Sequence, residues 1–130
     1  MPLTLKLRYF TDADFRMDGH DVSEKMNAEF LRKLDECRHL SGTPFVITSA
    51  FRSSEKNKLV GGAPASLHLK GRAVDIMCTD PVLRYRIVQA AQSLGLTVGV
   101  MERGLHLDDR KVPIMFHYYS RTKEATSLNE

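Results

Sequence analysis

Apolar residues recur at helical spacing in the first third of the chain. The apolar positions between 22 and 39 are three to four residues apart, which predicts a helix with one buried face. Asp21 is placed to cap this helix, and Glu24 follows three positions later as in a capping box. Gly42 and Pro44 end the pattern. We expect the core face to contain Met26, Phe30, Leu31, Leu34 and Cys37.

A second helix is predicted to begin at Pro81, a residue that suits the first helical position. Asp80 precedes it as a capping residue, and Gly95 marks its end. The apolar residues between them again follow a helical period and predict a second core-facing stripe. Its members are Leu83, Ile87, Ala90, Ala91 and Leu94.

Short runs rich in β-branched and aromatic residues predict the strands. The remaining segments are predicted as a helical turn at 11–15 capped by Thr11, a loop at 16–21 and a long loop at 52–66. The sum predicts an α+β fold: one domain over 1–120 with helices packed on one face of a mainly antiparallel sheet, then a polar tail at 121–130. The predicted strands are 45–48 (buried), 72–77, 97–101, 104–108 and 114–119, with a hairpin about 102–103.

Length and charge exclude few partners. A chain of 130 residues with 42% hydrophobic residues fits one core, and no apolar run is long enough to cross a membrane. The net charge of +3 would suit an anionic partner, but no dense basic run favours nucleic acid. The N-terminus lacks the pattern of a signal peptide, so we expect synthesis in the cytoplasm. Separately, we expect the protein to be a monomer.

Two histidines and an aspartate are the strongest candidates for chemistry. His68 and Asp75 lie seven positions apart with Gly71 between them, and His106 follows about thirty residues later. Two imidazoles and one carboxylate can hold a catalytic zinc and leave a position for water. Asp75 lies in an apolar strand, where an unpaired anion is unfavourable, so a metal or an arginine should face it.

The strand that contains His106 carries further candidates. Side chains alternate along a strand, so Glu102, Gly104, His106 and Asp108 share one face if the strand is continuous. Asp108 could orient the imidazole or hold a water there, whereas a turn at Glu102 would remove that residue from the face. Cys37 and Cys78 are interpreted as small buried hydrophobes rather than ligands, with a disulfide left open, and His20, His39 and His117 are weaker ligand candidates.

The segment from Ser66 to Asp75 matches in full the signature S-x-H-x-x-G-x-A-x-D. In this it resembles the zinc D-alanyl-D-alanine carboxypeptidase family, whose superfamily includes phage L-alanyl-D-glutamate endopeptidases, vancomycin-resistance dipeptidases and the hedgehog domain. The resemblance extends from about residue 8 to 120. The supporting segments are 9–11, 14–15, 47–53, 57, 60–63 and 105–108.

This resemblance implies that His68, Asp75 and His106 hold one zinc ion. It also implies that Arg52 binds a substrate carboxylate or polarises a carbonyl, a task that suits a planar and permanently charged guanidinium. An ordinary structural ion pair is the alternative for this arginine. Ser66 would support the metal site or contact substrate.

The general base is not where better-known members of the family have it. Some carry glutamate three residues before the last ligand, where this chain has Arg103, and others carry histidine two before it, where this chain has Gly104. Glu102 and Asp108 remain as the candidates, and Glu102 is slightly favoured.

The function implied is a zinc peptidase that cuts peptidoglycan stem peptides or cross-links, as a D,D-carboxypeptidase or an endopeptidase. Such a protein would act at the cell wall after lysis-type release or as part of a phage particle, with a peptidoglycan peptide as its partner. The alternative is a non-catalytic, zinc-stabilised structural or binding module of a phage particle, which the missing base favours.

Overall fold

The structure, a computed structural model, describes residue 3 and residues 5–118. The predicted tail and the end of the predicted last strand at Tyr119 lie outside the described residues. The helices are α1 (Ala28–Ser41), α2 (Ser54–Leu59) and α3 (Pro81–Ser93), with 3-10 helices at Asp12–Phe15, Ser23–Lys25 and Leu67–Lys70. The strands are β1 (Arg16–Met17), β2 (His20–Asp21), β3 (Val46–Ser49), β4 (Ala73–Met77), β5 (Thr97–Val100), β6 (Gly104–Asp108) and β7 (Met115–His117).

Five strands form the main sheet, in the order β3-β4-β6-β5-β7. Four of them pair antiparallel, while β7 runs parallel to its neighbour β5. Helices α1 and α3 pack against each other, and α3 also packs against β5. The fold prediction is therefore confirmed: a small α+β domain with a mainly antiparallel sheet.

The second predicted helix begins and ends as its sequence indicates. The Asp80 side chain accepts hydrogen bonds from the backbone N–H groups of Val82 and Leu83, at 2.9 and 3.0 Å. Gly95 has a φ of +70°, the left-handed conformation that ends helices. The hairpin between β5 and β6 is also confirmed. None of the helices in the described ranges is both long and apolar enough to span a membrane.

The predicted start of the first helix is wrong. Residues 23–25 form a separate 3-10 helix, and α1 is capped by Asn27, whose side chain accepts a hydrogen bond from the Phe30 N–H at 2.9 Å. Met26 is extended between the two helices. The backbone N–H of Asn27 donates to the Gly71 carbonyl at 2.8 Å, so a contact with a distant segment interrupts the helical pattern.

Three other expectations are corrected, and the first is the loop predicted at 52–66, which contains helix α2 because the Ser53 side chain caps its start. The predicted loop at 16–21 is a small hairpin, because Asp18 and Gly19 both adopt positive φ angles (+52° and +78°), as a tight two-residue turn requires. Strand β3 was expected to be buried, but it is an edge strand whose Val46 side chain is exposed. The predicted turn at 11–15 is confirmed as a 3-10 helix.

Candidate metal centre

Three buried side chains converge at the middle of the sheet. Asp75 on β4 lies directly opposite His106 on β6 in the strand register. His68 comes from the 3-10 helix that precedes β4. One potential ligand atom from each residue lies within 4.8 Å of the other two, and all three residues are less than 9% exposed. The structure thus brings together the three residues predicted to bind metal.

The conformation of the signature segment explains how His68 reaches this position. The Ser66 hydroxyl oxygen accepts a hydrogen bond from the backbone N–H of His68 at 3.2 Å and so caps the 3-10 helix. Gly71 ends that helix with a φ of +66°, and a side chain there would overlap the Lys25 carbonyl oxygen. The chain between His68 and Asp75 therefore completes a 3-10 helical turn, reverses direction at Gly71 and then enters β4.

Hydrogen bonds on the outer side of each ring determine which nitrogen faces inward. His68 Nδ1 lies 2.7 Å from the Ala50 carbonyl oxygen, and since a carbonyl only accepts, this nitrogen carries the hydrogen. His106 Nε2 lies 2.7 Å from Asp108 Oδ2 and donates to that carboxylate. Partners of this kind orient metal-binding histidines and fix their tautomers.

In the neutral rings, the inward nitrogens therefore carry lone pairs. His68 Nε2 and His106 Nδ1 face the same atom, Asp75 Oδ1, at 3.2 and 3.0 Å. Three electron-pair donors that point at one another repel unless a cation lies between them. Two imidazole nitrogens and one carboxylate oxygen are the donor set that zinc accepts. The chemistry of these donors thus fits a divalent metal.

The electrostatics of the site keep its carboxylates ionised. Burial opposes the charge on Asp75, but hydrogen bonds with the rings of His106 and His68 hold the pKa of this carboxyl well below its ordinary value. Burial likewise opposes the charge on Asp108, yet hydrogen bonds from His106 and Arg110 lower its pKa to about 2. Burial lowers and both carboxylates raise the pKa of His106, and the net shift is upward. A metal at the inward nitrogen would replace the proton that this shift favours.

Arg52 contacts a metal-ligand candidate directly. Its guanidinium donates to Asp75 Oδ2 at 3.1 Å, to Ser49 Oγ at 3.1 Å and to Asn57 Oδ1 at 3.3 Å. Asp75 therefore has one oxygen paired with the arginine, while the other faces the two rings. The predicted alternative of an ion pair describes this geometry, and Arg52 also lines the cavity described below.

The two candidates for general base lie in different environments. Glu102 is exposed in the turn between β5 and β6 and does not line the cavity. Asp108 is fully buried, lines the cavity, and accepts hydrogen bonds from the His106 ring and from the side chain and backbone of Arg110. Strand alternation correctly placed Asp108 on the face of His106.

A cavity of about 930 Å³ opens over the three donors. Residues 60–67 form one wall, and Arg110, Phe116 and Tyr118 lie on another. The sequence interpretation missed this second wall, because it considered only His117 in the strand predicted at 114–119, as a weaker ligand candidate. Burial and the nearby Asp75 charge raise the pKa of Tyr118 to about 12, so its hydroxyl stays protonated.

The other histidines and the cysteines lie outside the donor group. In the described part of the chain, the group at His68, Asp75 and His106 includes none of His20, His39, His117, Cys37 and Cys78. The two cysteines are free thiols; Cys37 is buried as expected, whereas Cys78 is only half-buried. Burial raises the pKa of Cys37 to about 12. Cys37 and Cys78 therefore do not form a disulfide with each other.

Three comparisons with known proteins were made. The crystal structure of Serratia marcescens L-Ala D-Glu endopeptidase ChiX is similar at 18% sequence identity with a TM-score of 0.46, covering 65% of this chain and 80% of that chain. A search of curated proteins gave no significant match. A family model described as peptidase M15 matches residues 8–108, which contain all three metal-ligand candidates. The chain therefore belongs to the peptidase M15 family.

Proposed function

We propose that this protein is a zinc metallopeptidase that hydrolyses an amide bond in peptidoglycan stem peptides or cross-links. The observation that carries the proposal is the convergence of His68 Nε2, Asp75 Oδ1 and His106 Nδ1 under a cavity, in a member of a peptidase family. The resemblance of the signature to that of D-alanyl-D-alanine peptidases supports peptidoglycan as the substrate. The place of action we propose is the cell wall, reached by lysis-type release or in a phage particle.

The three convergent atoms would hold one zinc ion. When bound, zinc lowers the pKa of a coordinated water and polarises a peptide carbonyl. Arg52 would keep Asp75 ionised and oriented, since it occupies the second oxygen of that carboxylate. The Ala50 carbonyl and Asp108 would hold the two rings in the tautomers that leave their inner nitrogens free.

The arginine donors in the cavity support a peptide that carries carboxylates. Arg52 and Arg110 both line the cavity, and each guanidinium has five N–H donors. Arg52 donates to three side chains and retains donors that could meet a substrate carboxylate. A carboxylate at the end of a stem peptide could pair with the N–H donors of these arginines that remain unused.

Of the two candidates for general base, we propose that Asp108 acts by positioning His106. Its oxygens already accept hydrogen bonds from His106 and Arg110, and its pKa of about 2 makes it a weak proton acceptor. Glu102 would need a shifted turn to reach the cavity. Its role as a base stays a prediction.

One observation favours the non-catalytic alternative. Among the described residues that line the cavity, Asp75 and Asp108 are the carboxylates, and both are engaged in hydrogen bonds. A zinc-stabilised binding module would need no further base. It would bind zinc and show no turnover.

The test is the release of new amino groups from purified peptidoglycan. We expect release by the wild-type protein, loss of release after chelation, and restoration by zinc. His68→Ala should be inactive, and Lys58→Ala, an exposed change on α2, should match the wild type. Unchanged activity in His68→Ala would contradict the proposed mechanism, and zinc binding without any cleavage would favour the module.

A further inference from the structure

The outer wall of the cavity depends on a glycine at the centre of β5. Gly99 lies opposite His106 on one neighbouring strand and Phe116 on the other. A β-carbon at this position would come within 2.7 Å of the Phe116 ring and 2.8 Å of the Tyr118 ring. The missing side chain thus gives both aromatic rings room to lie across β5, next to the metal-ligand candidates.

Tyr118 is held at this place by its backbone and its ring. Its N–H donates to the Val100 carbonyl at 2.9 Å, which continues the pairing of β7 with β5. Its ring centroid lies 6.1 Å from that of His106, nearly edge-on at 64°, and 5.1 Å from that of Phe116. These contacts fix the position of the ring and do not involve the hydroxyl.

The hydroxyl of Tyr118 is a donor without a fixed acceptor beside the site. Tyr118 lines the cavity with about half of its surface exposed, and its Oη forms no hydrogen bond with any residue of the described ranges. The guanidinium groups of Arg52 and Arg110 line the same cavity, and each also binds a carboxylate, Asp75 and Asp108 respectively. A phenol is protonated at neutral pH and can donate one hydrogen bond to a ligand.

We propose that Tyr118 is a catalytic residue that donates a hydrogen bond from Oη to the carbonyl oxygen of the scissile amide as negative charge develops there. The role rests on the proposed peptidase function. In the hydrolysis, a water oxygen bonds to the carbonyl carbon, the C–N bond breaks, one water proton ends on the leaving amine and the other on the new carboxyl group. Tyr118 keeps its proton throughout and acts by stabilising charge.

The test compares Tyr118→Phe with wild type on a peptide that wild type cleaves. Phenylalanine keeps the ring contacts and removes only the donor, so kcat should fall about 100-fold while KM, zinc content and Tm stay unchanged. Tyr85→Phe is the matched control, because Tyr85 is exposed on α3 and does not line the cavity; it should match the wild type. An equal fall in the control would overturn the assignment.

A second readout does not depend on turnover. A phosphinate analogue of the peptide carries a tetrahedral centre with charged oxygens, so calorimetry should show weaker binding to Tyr118→Phe than to wild type, while the cleaved product binds both equally. Equal kcat and equal phosphinate affinity, with wild-type cleavage intact, would overturn the role of Tyr118 alone. Absence of cleavage by wild type would overturn the proposed function and this role with it.

Discussion

Asp108 contacts the ring of His106 at the candidate metal centre. His106 Nε2 lies 2.7 Å from Asp108 Oδ2, and the Arg110 guanidinium donates to both oxygens of the same carboxylate. Because a carboxylate at this position both orients the imidazole and increases its basicity, its effect should be visible in metal affinity. Glu102, exposed in its turn, has no comparable contact with the ring.

The first prediction follows at this residue scale. Asp108→Asn should weaken zinc binding about 10- to 100-fold, because the amide is neutral and releases His106 from its tautomer. The measurement is a competition titration against a chelator of known affinity. Glu102→Gln is the control and should bind zinc like the wild type. Equal affinities in the two variants would contradict the role of Asp108.

Single residues were predicted well where the chemistry is local in sequence. His68 and Asp75 stand in one short signature, and alternation along one strand places His106 with Asp108. Tyr118 was missed because its position depends on which strand lies beside β5. Nothing in the residues around Tyr118 indicates that β7 adds to β5 in parallel, across Gly99.

At the scale of elements, Gly71 joins the signature segment to the chain before α1. Its φ of +66° ends the 3-10 helix, its carbonyl accepts from Asn27, and the backbone at Lys25 and Met26 passes too close for a side chain. Gly95 has a similar φ of +70° but nothing within 4 Å of an added β-carbon. Comparing Gly71 with Gly95 therefore distinguishes the cost of a left-handed backbone from the cost of steric overlap with neighbouring backbone.

The second prediction uses this pair. Gly95→Ala should lower the free energy of unfolding by about 1–2 kcal/mol, the penalty of a left-handed alanine. Gly71→Ala should lower it by clearly more, since the backbone of 25–26 must also move. Urea denaturation of both variants measures the difference. Equal losses would mean that the close approach at Gly71 has no energetic effect.

Hydrophobic periodicity located α1, α3 and the central strands. Two local features were predicted wrongly: the start of α1 and the hairpin formed by β1 and β2. Asp21 and Glu24 resemble a capping box, yet the extended Met26 and the tertiary hydrogen bond of Asn27 divide the segment. The hairpin about Asp18 was missed because its strands are two residues long and too short to show alternation. The first error therefore comes from a tertiary contact, and the second from the shortness of the strands.

At the scale of the whole molecule, the metal-ligand candidates link three parts of the fold. Strands β4 and β6 and the 3-10 helix at Leu67–Lys70 each supply one donor. Without a cation, two inward lone pairs and the buried Asp75 carboxylate would face one another. Zinc binding should therefore stabilise the entire domain.

The third prediction is that chelation lowers Tm. With free zinc at about 1,000 times Kd, binding to the native state alone adds about 4 kcal/mol to the free energy of unfolding. Thermal denaturation with and without chelator measures the shift. The variant His106→Ala should have a lower Tm that chelator does not change. If neither chelator nor zinc changes the Tm of the wild-type protein, that result would contradict a metal centre.

The class of fold was accessible from sequence, because two amphipathic helices and a set of short apolar strands leave few alternatives. The strand order was not, since β3 and β7 reach the two edges of the sheet through contacts far apart in the chain. Val46 of β3 lies opposite Met77 of β4, and both side chains are exposed.

X-ray absorption at the zinc edge of the zinc-loaded protein tests the central claim most directly. The account predicts one zinc per chain with nitrogen and oxygen ligands at about 2.0–2.2 Å, including two imidazoles. The imidazole signal should fall to one ring or vanish in His106→Ala. Sulfur ligands at about 2.3 Å, or a zinc spectrum unchanged in His106→Ala, would contradict a centre formed by His68, Asp75 and His106.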